Sequence, residues 1–441
     1  LHDRAVSLRE RVRGRQQTPG TDDHDAVPTR RRRGDRRLVL VAVVAVVALI
    51  AAGALAAVST NGVTVPVPVT ETTLGSLACP VPDRCVAVGS TGSRYTIRVP
   101  YSVRSADGTL ATGSPVTPLQ NGDSFLLSIA CRSDTHCVAV GGQDVPAPYF
   151  GAKSGGTRPL VETIDGDTWR LQRSSIPPGT TDAQLSGVDC AGSTCMAVGG
   201  FGNKSGNDRV MTQLWDGSSW KLIIPPRPRT MEDPNLSGVS CVSATSCTAV
   251  GQYTYELAFG SLVAPLILRW NGTEWRFQPS GRLGKAQDSM LNATDCPSAK
   301  VCVTVGSQRM AGATYRSFAE VRRAGAWRVA PTDDPPHTPD ADLVAIDCPS
   351  VTRCVAVGYS VSGASPEALV EWWNGSRWTI GSAPDVPGAS GSALSGVRCT
   401  SPDSCIAVGN FRHASPTEHA FTARWDGKNW TTVLASDPAA G

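Results

Sequence analysis

The fourteen cysteines of this 441-residue chain constrain its fold more than any other feature, because all of them fall into local pairs. The pairs are Cys79 with Cys85, Cys131 with Cys137, Cys190 with Cys195, Cys241 with Cys247, Cys296 with Cys302, Cys348 with Cys354, and Cys399 with Cys405. Six have the form C-x5-C, the third is one residue shorter, and the first cysteines recur every 51 to 59 residues. After each second cysteine comes nearly the same phrase: CVAVG, CVAVG, CMAVG, CTAVG, CVTVG, CVAVG and CIAVG. A second phrase follows in most copies: LWDGSSW at 214–220, RWNGTEW at 269–275, WWNGSRW at 372–378 and RWDGKNW at 424–430. Copy two keeps DGDTW ending at Trp169, copy five keeps AGAW ending at Trp327, and copy one keeps only Asp107-Gly108. A two-part pattern repeated at this period is the signature of a repeat architecture.

Each unit reads as four strands. The first is L-x-x-V-x-C, as in Leu185 to Cys190; the second is C-x-A-V-G; the third runs into W-[DN]-G; the fourth carries the last tryptophan. Asp-Gly and Asn-Gly accept the positive φ of a type I′ turn, so a tight hairpin is expected between the third and fourth strands. A four-stranded antiparallel unit of about 50 residues, repeated around an axis, is a propeller blade. The expected fold is all-β: a seven-bladed β-propeller over residues 74–435, with one disulfide per blade. One tryptophan at one place per blade is what packing between blades requires. Zinc is the alternative reading of the cysteines, but no repeat supplies the further ligands, and the six histidines are scattered. Neither a metal nor a cofactor is expected.

Leu38 to Val58 is an unbroken apolar run, long enough as a helix to cross a bilayer. Arg30 to Arg33, Arg36 and Arg37 precede it, so the positive-inside rule keeps the N-terminus in the cytoplasm and places the rest outside. The expected organisation is a basic disordered cytoplasmic tail (1–37), a signal-anchor helix (38–58), a linker (59–73), the propeller (74–435) and a short tail (436–441). Cleavage after Ala54-Leu55-Ala56 is the alternative; either way the repeats are exported, where paired cysteines persist. Residues 1–37 carry a net charge of +5 and the remainder −2, so the repeats lack the basic footprint of a nucleic-acid binder.

At C-x5-C-x-A-V-G followed by W-[DN]-G-x-x-W, the chain resembles a group of secreted or membrane-anchored actinobacterial repeat proteins. The 35 arginines against 6 lysines suit a GC-rich genome. The resemblance implies a propeller and an envelope location, and no activity. A fainter similarity is to sialidase-type Asp-box propellers and photosystem assembly-factor propellers. Here Asp165-Gly166-Asp167-Thr168-Trp169 lacks the spacer of an Asp box, so no sialidase residue is carried over.

Propeller topology puts the short, repetitive turns on one face and the long, dissimilar loops on the other. Binding residues concentrate on variable loops. The candidates are Tyr149 and Phe150 in 142–158; Tyr253, Tyr255 and Glu256 in 252–264; Arg309, Tyr315 and Arg316 in 307–316; and Arg412, His413 and Glu418 in 410–420. Asp189, Asp295 and Asp347 each precede a first cysteine. They read most simply as solvated turn acids, with an acidic or cation-binding ring as the sharper alternative. The catalytic motifs G-x-S-x-G and H-E-x-x-H are absent, as are the P-loop and the dinucleotide fingerprint. The expected function is a membrane-anchored, extracytoplasmic binding or scaffold module for an envelope glycan or protein. A carbohydrate-active hydrolase or lyase is the alternative, and a sensor ectodomain a third.

Overall fold

The computed structural model describes residues 71–435, apart from short stretches of loop, together with the backbone of 59–60 and 63–64. It is a seven-bladed β-propeller. The blades span 71–113, 124–171, 180–223, 232–277, 288–329, 340–380 and 391–434, and each is a four-stranded antiparallel sheet in consecutive strand order. We call the strands of a blade a to d, from the central channel outward. Val63–Thr64 pairs with Ser59–Thr60 in a ladder outside the seven sheets. The apolar run 38–58 and the flanking tail lie outside the described residues. No helix among the described residues is long and apolar enough to cross a membrane.

The seven disulfides follow the local pairing expected from the spacing. They join Cys79 to Cys85, Cys131 to Cys137 and Cys190 to Cys195 in the first three blades. In the remaining four they join Cys241 to Cys247, Cys296 to Cys302, Cys348 to Cys354 and Cys399 to Cys405. Each ties strand a to strand b within its blade, with Cα atoms 3.9–4.1 Å apart. No cysteine is left free. In blades two, three, four and seven the two cysteines are direct cross-strand partners. Each strand a also carries a register shift just after its leucine, such as that between Leu185 and Gly187 in blade three or Leu394 and Gly396 in blade seven. That shift explains the glycine of the A-V-G phrase. A Cβ on Gly199 would sit 2.1 Å from the Gln184 carbonyl, and one on Gly89 would sit 1.8 Å from that of Thr73. The backbone of the irregular strand passes too close for any side chain.

The core lies between blades as much as within them. Trp270 and Trp275 of blade four pack with Met196, Val198 and Val210 of blade three, and the Trp275 indole N–H donates to Thr212 Oγ1 at 2.9 Å. Trp373 and Trp378 of blade six likewise close over Val303, Val305 and Ala319 of blade five. Inter-blade packing is therefore the role of the repeated tryptophans.

In the four blades with a W-[DN]-G phrase the strand c–d turns depart from the expected type I′ geometry, whereas the Ala324-Gly325 turn of blade five keeps it, with φ of 50° and 86°. In blades three, four, six and seven the paired tryptophans are cross-strand partners on either side of a four-residue loop. Their ring centroids lie 5.5–5.7 Å apart. The Asp or Asn side chain organises that loop: Asn271 Oδ1 accepts the N–H groups of Thr273 and Glu274, and Asp216 Oδ1 those of Ser218 and Ser219. Two-residue turns occur in blades two and five, where Asp165 pairs with Thr168 and Arg323 with Ala326. The tryptophan pair, by gripping across the hairpin, favours the longer loop.

The ring closes without strand exchange among the described residues. Blades seven and one meet through Leu74, Leu77 and Tyr101 on one side and Val408 and Ala420 on the other. The Leu74 N–H donates to Asn410 Oδ1 at 2.9 Å, and the Ser395 hydroxyl donates to the Leu74 carbonyl.

Candidate functional site: channel and variable-loop face

Strand a of every blade lines a central channel with a cavity of about 170 Å³. The position before each first cysteine forms one ring of equivalent sites, Ala78, Ala130, Asp189, Ser240, Asp295, Asp347 and Arg398, of which Asp189, Ser240, Asp295 and Arg398 line the cavity. These carboxylates are not solvated turn acids, and they are engaged with protein rather than presented to a cation. Each reaches the next blade. Asp189 Oδ2 accepts the Cys241 N–H at 2.7 Å, Asp295 Oδ2 the Cys348 N–H at 2.7 Å and Asp347 Oδ2 the Cys399 N–H at 2.9 Å. Ser240 does the same for Cys296, at 3.0 Å. Arg398 completes the arc by donating to Asp347 Oδ1 at 2.9 Å. The ring thus staples four successive blade junctions on the disulfide side of the channel.

Enclosure and mutual repulsion decide the charge state of this ring. Burial and the Asp347 carboxylate push Asp295 up to about 7, with Arg398 acting in the opposite sense. Burial also raises Asp189 against the pull of Arg398. Burial lowers the Arg398 guanidinium, but Asp347, Asp189 and Asp295 together outweigh it and hold the cation charged. Among the described residues, no group of three or more His, Cys, Asp or Glu is disposed to hold a metal ion.

A second set of staples lies at the start of strand a, on the variable-loop face. Asp123, Asp182, Asp288 and Asp340 accept the backbone N–H of Arg98, Thr157, Val263 and Tyr315 from the preceding blade, at 2.7–3.1 Å. Each stands eight residues before its blade's first cysteine, as do Asp233 and Glu71. That spacing was available in the sequence as a signal. What it does depends on the neighbouring blade, because the accepted N–H lies at or near the start of that blade's strand c.

The predicted ligand residues are distributed around this face rather than gathered. Tyr149 and Phe150 lie outside the described residues. Tyr253, Tyr255 and Glu256 are on a β-hairpin, not an irregular loop: strand b, Ser246–Leu257, pairs with strand c, Gly260–Trp270, out to Leu257 opposite Gly260. The hairpin runs three residue pairs further beyond the A-V-G glycine than its equivalent in blades two, five, six and seven, a reach of roughly 10 Å. Its Tyr253 and Tyr255 rings are 6.2 Å apart, and Leu257 near its tip is exposed. Burial and Tyr255 raise the Tyr253 phenol.

Arg309 is paired with Asp288 at 2.6 Å, while Tyr315 is held through its N–H by Asp340. Arg316 is exposed on the same strand. In blade seven, Arg412 and Glu418 are cross-strand partners and form an ion pair at 3.3 Å. His413 Nδ1 lies 2.9 Å from the Gly388 carbonyl, and its ring packs against Phe411 and His419. Arg309, Arg412 and Glu418 are thus engaged within the protein, whereas the half-buried tyrosine pair of blade four, with Tyr253 packed against the blade three–four core, lies on the extended hairpin.

No family model and no curated protein matches the chain. Solved structures do. Two structures of a PL25 polysaccharide lyase, an ulvan lyase, align with TM-scores of 0.54 and 0.52 at 11% identity, over 79% of this chain and 91% of that one. A structure of YCF48 bound to a D1 peptide aligns over 72% of this chain and 86% of that one, at 14% identity and a TM-score of 0.41. At these identities the likeness concerns the fold alone.

Proposed function

We propose that the chain is an extracytoplasmic, membrane-anchored binding module that recognises an envelope glycan or protein partner through its variable-loop face. The observation that carries this reading is the blade-four hairpin. Among the described residues its strand pairing runs further than that of its counterparts, and it carries two tyrosines whose rings lie 6.2 Å apart, a surface suited to stacking on a sugar ring or an apolar side chain. The channel acids offer less, since their oxygens are occupied by blade-to-blade hydrogen bonds.

The test is cosedimentation of the oxidised protein with purified actinobacterial cell-wall material. Saturable pelleting that the double variant Tyr253→Ser, Tyr255→Ser abolishes supports glycan recognition at the hairpin. Pelleting no greater than that of an albumin control removes the wall glycan and leaves a membrane-associated protein as the partner. A carbohydrate-active enzyme is the second reading. It draws on the fold shared with an ulvan lyase, one structure of which is described as bound to -[GlcA(1-4)Rha3S]-. Release of unsaturated sugars from the pellets would favour it.

A further inference from the structure

Three glutamates that take no part in the ring or in the proposed binding face are 0% exposed, Glu162, Glu320 and Glu371, and the first two each hold a linker. Glu162 on strand c of blade two and Glu320 on strand c of blade five occupy one register, opposite Ala139 and Thr304 of their strands b. Each holds the linker that enters its own blade across the variable-loop face. Glu162 Oε2 accepts the Val116 N–H at 2.8 Å. Glu320 Oε1 accepts the Gly281 N–H at 3.1 Å and the Ser280 hydroxyl. The remaining oxygen of each, Glu162 Oε1 and Glu320 Oε2, is enclosed with no hydrogen-bond partner among the described residues.

An ionised carboxylate in that setting lacks both a countercharge and donors for one oxygen, so the neutral acid is the form the site favours. Burial pushes Glu162 up to about 7 and raises Glu320, and only the linker hydrogen bonds act against it; no charged side chain contributes at either place. Blade three provides the comparison. At the same register, opposite Ala197, it carries Gln213, which is neutral at every pH and binds Ser174 and Ser175 of its own linker.

We propose that Glu162 and Glu320 are proton-gated latches: each fastens its inter-blade linker as a carboxylic acid and releases it on ionising. Release follows because opening the linker admits water to the orphan oxygen, which stabilises the anion. The variable-loop face therefore tightens in acid and loosens in alkali. If that face holds the ligand, as proposed above, binding weakens as pH rises; the latch itself does not depend on that reading.

The experiment is amide-resolved hydrogen exchange on the full oxidised chain between about pH 5.5 and pH 8.5, corrected for intrinsic base catalysis. Protection at Val116 is expected to be constant below about pH 7 and to fall above it by up to about tenfold per pH unit, and protection at Gly281 to fall in the same sense as Glu320 ionises. The Gln172 N–H, bonded to the Val161 carbonyl at 2.8 Å, serves as the internal control. Glu162→Gln is expected to flatten the response at Val116 alone, and Glu320→Gln at Gly281 alone. Constant protection across the range in the native chain overturns the proposal, as does a fall that persists unchanged in the glutamine variants. Ligand binding enters no arm of the test, so its outcome stands apart from that of the cosedimentation.

Discussion

Arg398→Met isolates the charge of the channel ring. Methionine keeps an unbranched apolar stem and removes the guanidinium that donates to Asp347 at 2.9 Å and stabilises the anions of Asp189 and Asp295. Removing one partner of a buried ionic network costs about 3–5 kcal/mol when the remaining charges stay ionised. The propeller unfolds with an entropy of roughly 0.8 kcal/mol/K if it melts as one unit, so the expected fall in Tm is about 4–6 °C at pH 8. The sign of the pH dependence follows from linkage. Without the cation Asp189 and Asp295 rise further above the unfolded range near 3.9. The folded variant then binds more protons than its unfolded chain, and its stability drops as pH rises. The gap from the native protein should therefore be widest at pH 8 and close towards pH 4, where protonated carboxyls need no cation. Calorimetry of both proteins at about pH 4, 6 and 8 measures this. A deficit equal at all three values, or below about 1 °C at pH 8, would refute an electrostatic role for the ring.

Three further outcomes follow from the packing. Glu162→Gln removes a carboxyl whose folded value is about 7 against 4.5 for the free group, so it should stabilise the chain by up to ~3 kcal/mol at pH 8.5 and by nothing at pH 4, seen in pH-resolved melting. Gly199→Ala places a Cβ 2.1 Å from the Gln184 carbonyl and should cost roughly 3 kcal/mol or more, whereas Gly187→Ala meets its nearest atom at 3.1 Å and should cost about 1 kcal/mol or less in denaturant titration. Trp275→Ala, at a side chain 1% exposed, should cost about 3–5 kcal/mol; Trp275→Phe should recover most of this but not the hydrogen bond to Thr212.

The blades could be read from the chain because their determinants are local. The cysteine pairs, the A-V-G glycines and the tryptophans recur at fixed spacing, and each is explained by contacts within a blade or with its immediate neighbour. The staples were harder to see. Asp288 and Asp189 look alike as isolated acids, yet one accepts the N–H of Val263 from the blade before and the other that of Cys241 from the blade after. Only the assembled ring distinguishes those roles. Glu162 and Glu320 were missed for a related reason: a glutamate amid a strand's apolar residues reads as an outward position, and its enclosure comes from the linker laid over it. The loop residues were chosen for their chemistry, and the structure shows why that is a weak guide. Arg412 and Glu418 face each other across one hairpin, and Arg309 has Asp288 as a partner, so charge on a loop does not imply charge available to a ligand.

The absence of strand exchange at the seam among the described residues bears on the order in which the molecule can be made. Every sheet is complete within one stretch of some 40 to 50 residues, and every disulfide bridges residues only five or six apart. A blade can pair its strands and oxidise its cysteines as soon as that stretch has been delivered, without waiting for anything synthesised later. Joining the first blade to the last is then a docking of two finished surfaces, Leu74 against Asn410 at its centre, rather than a threading event. Such a molecule can in principle gain or lose a whole blade at a linker without unpairing any strand that remains.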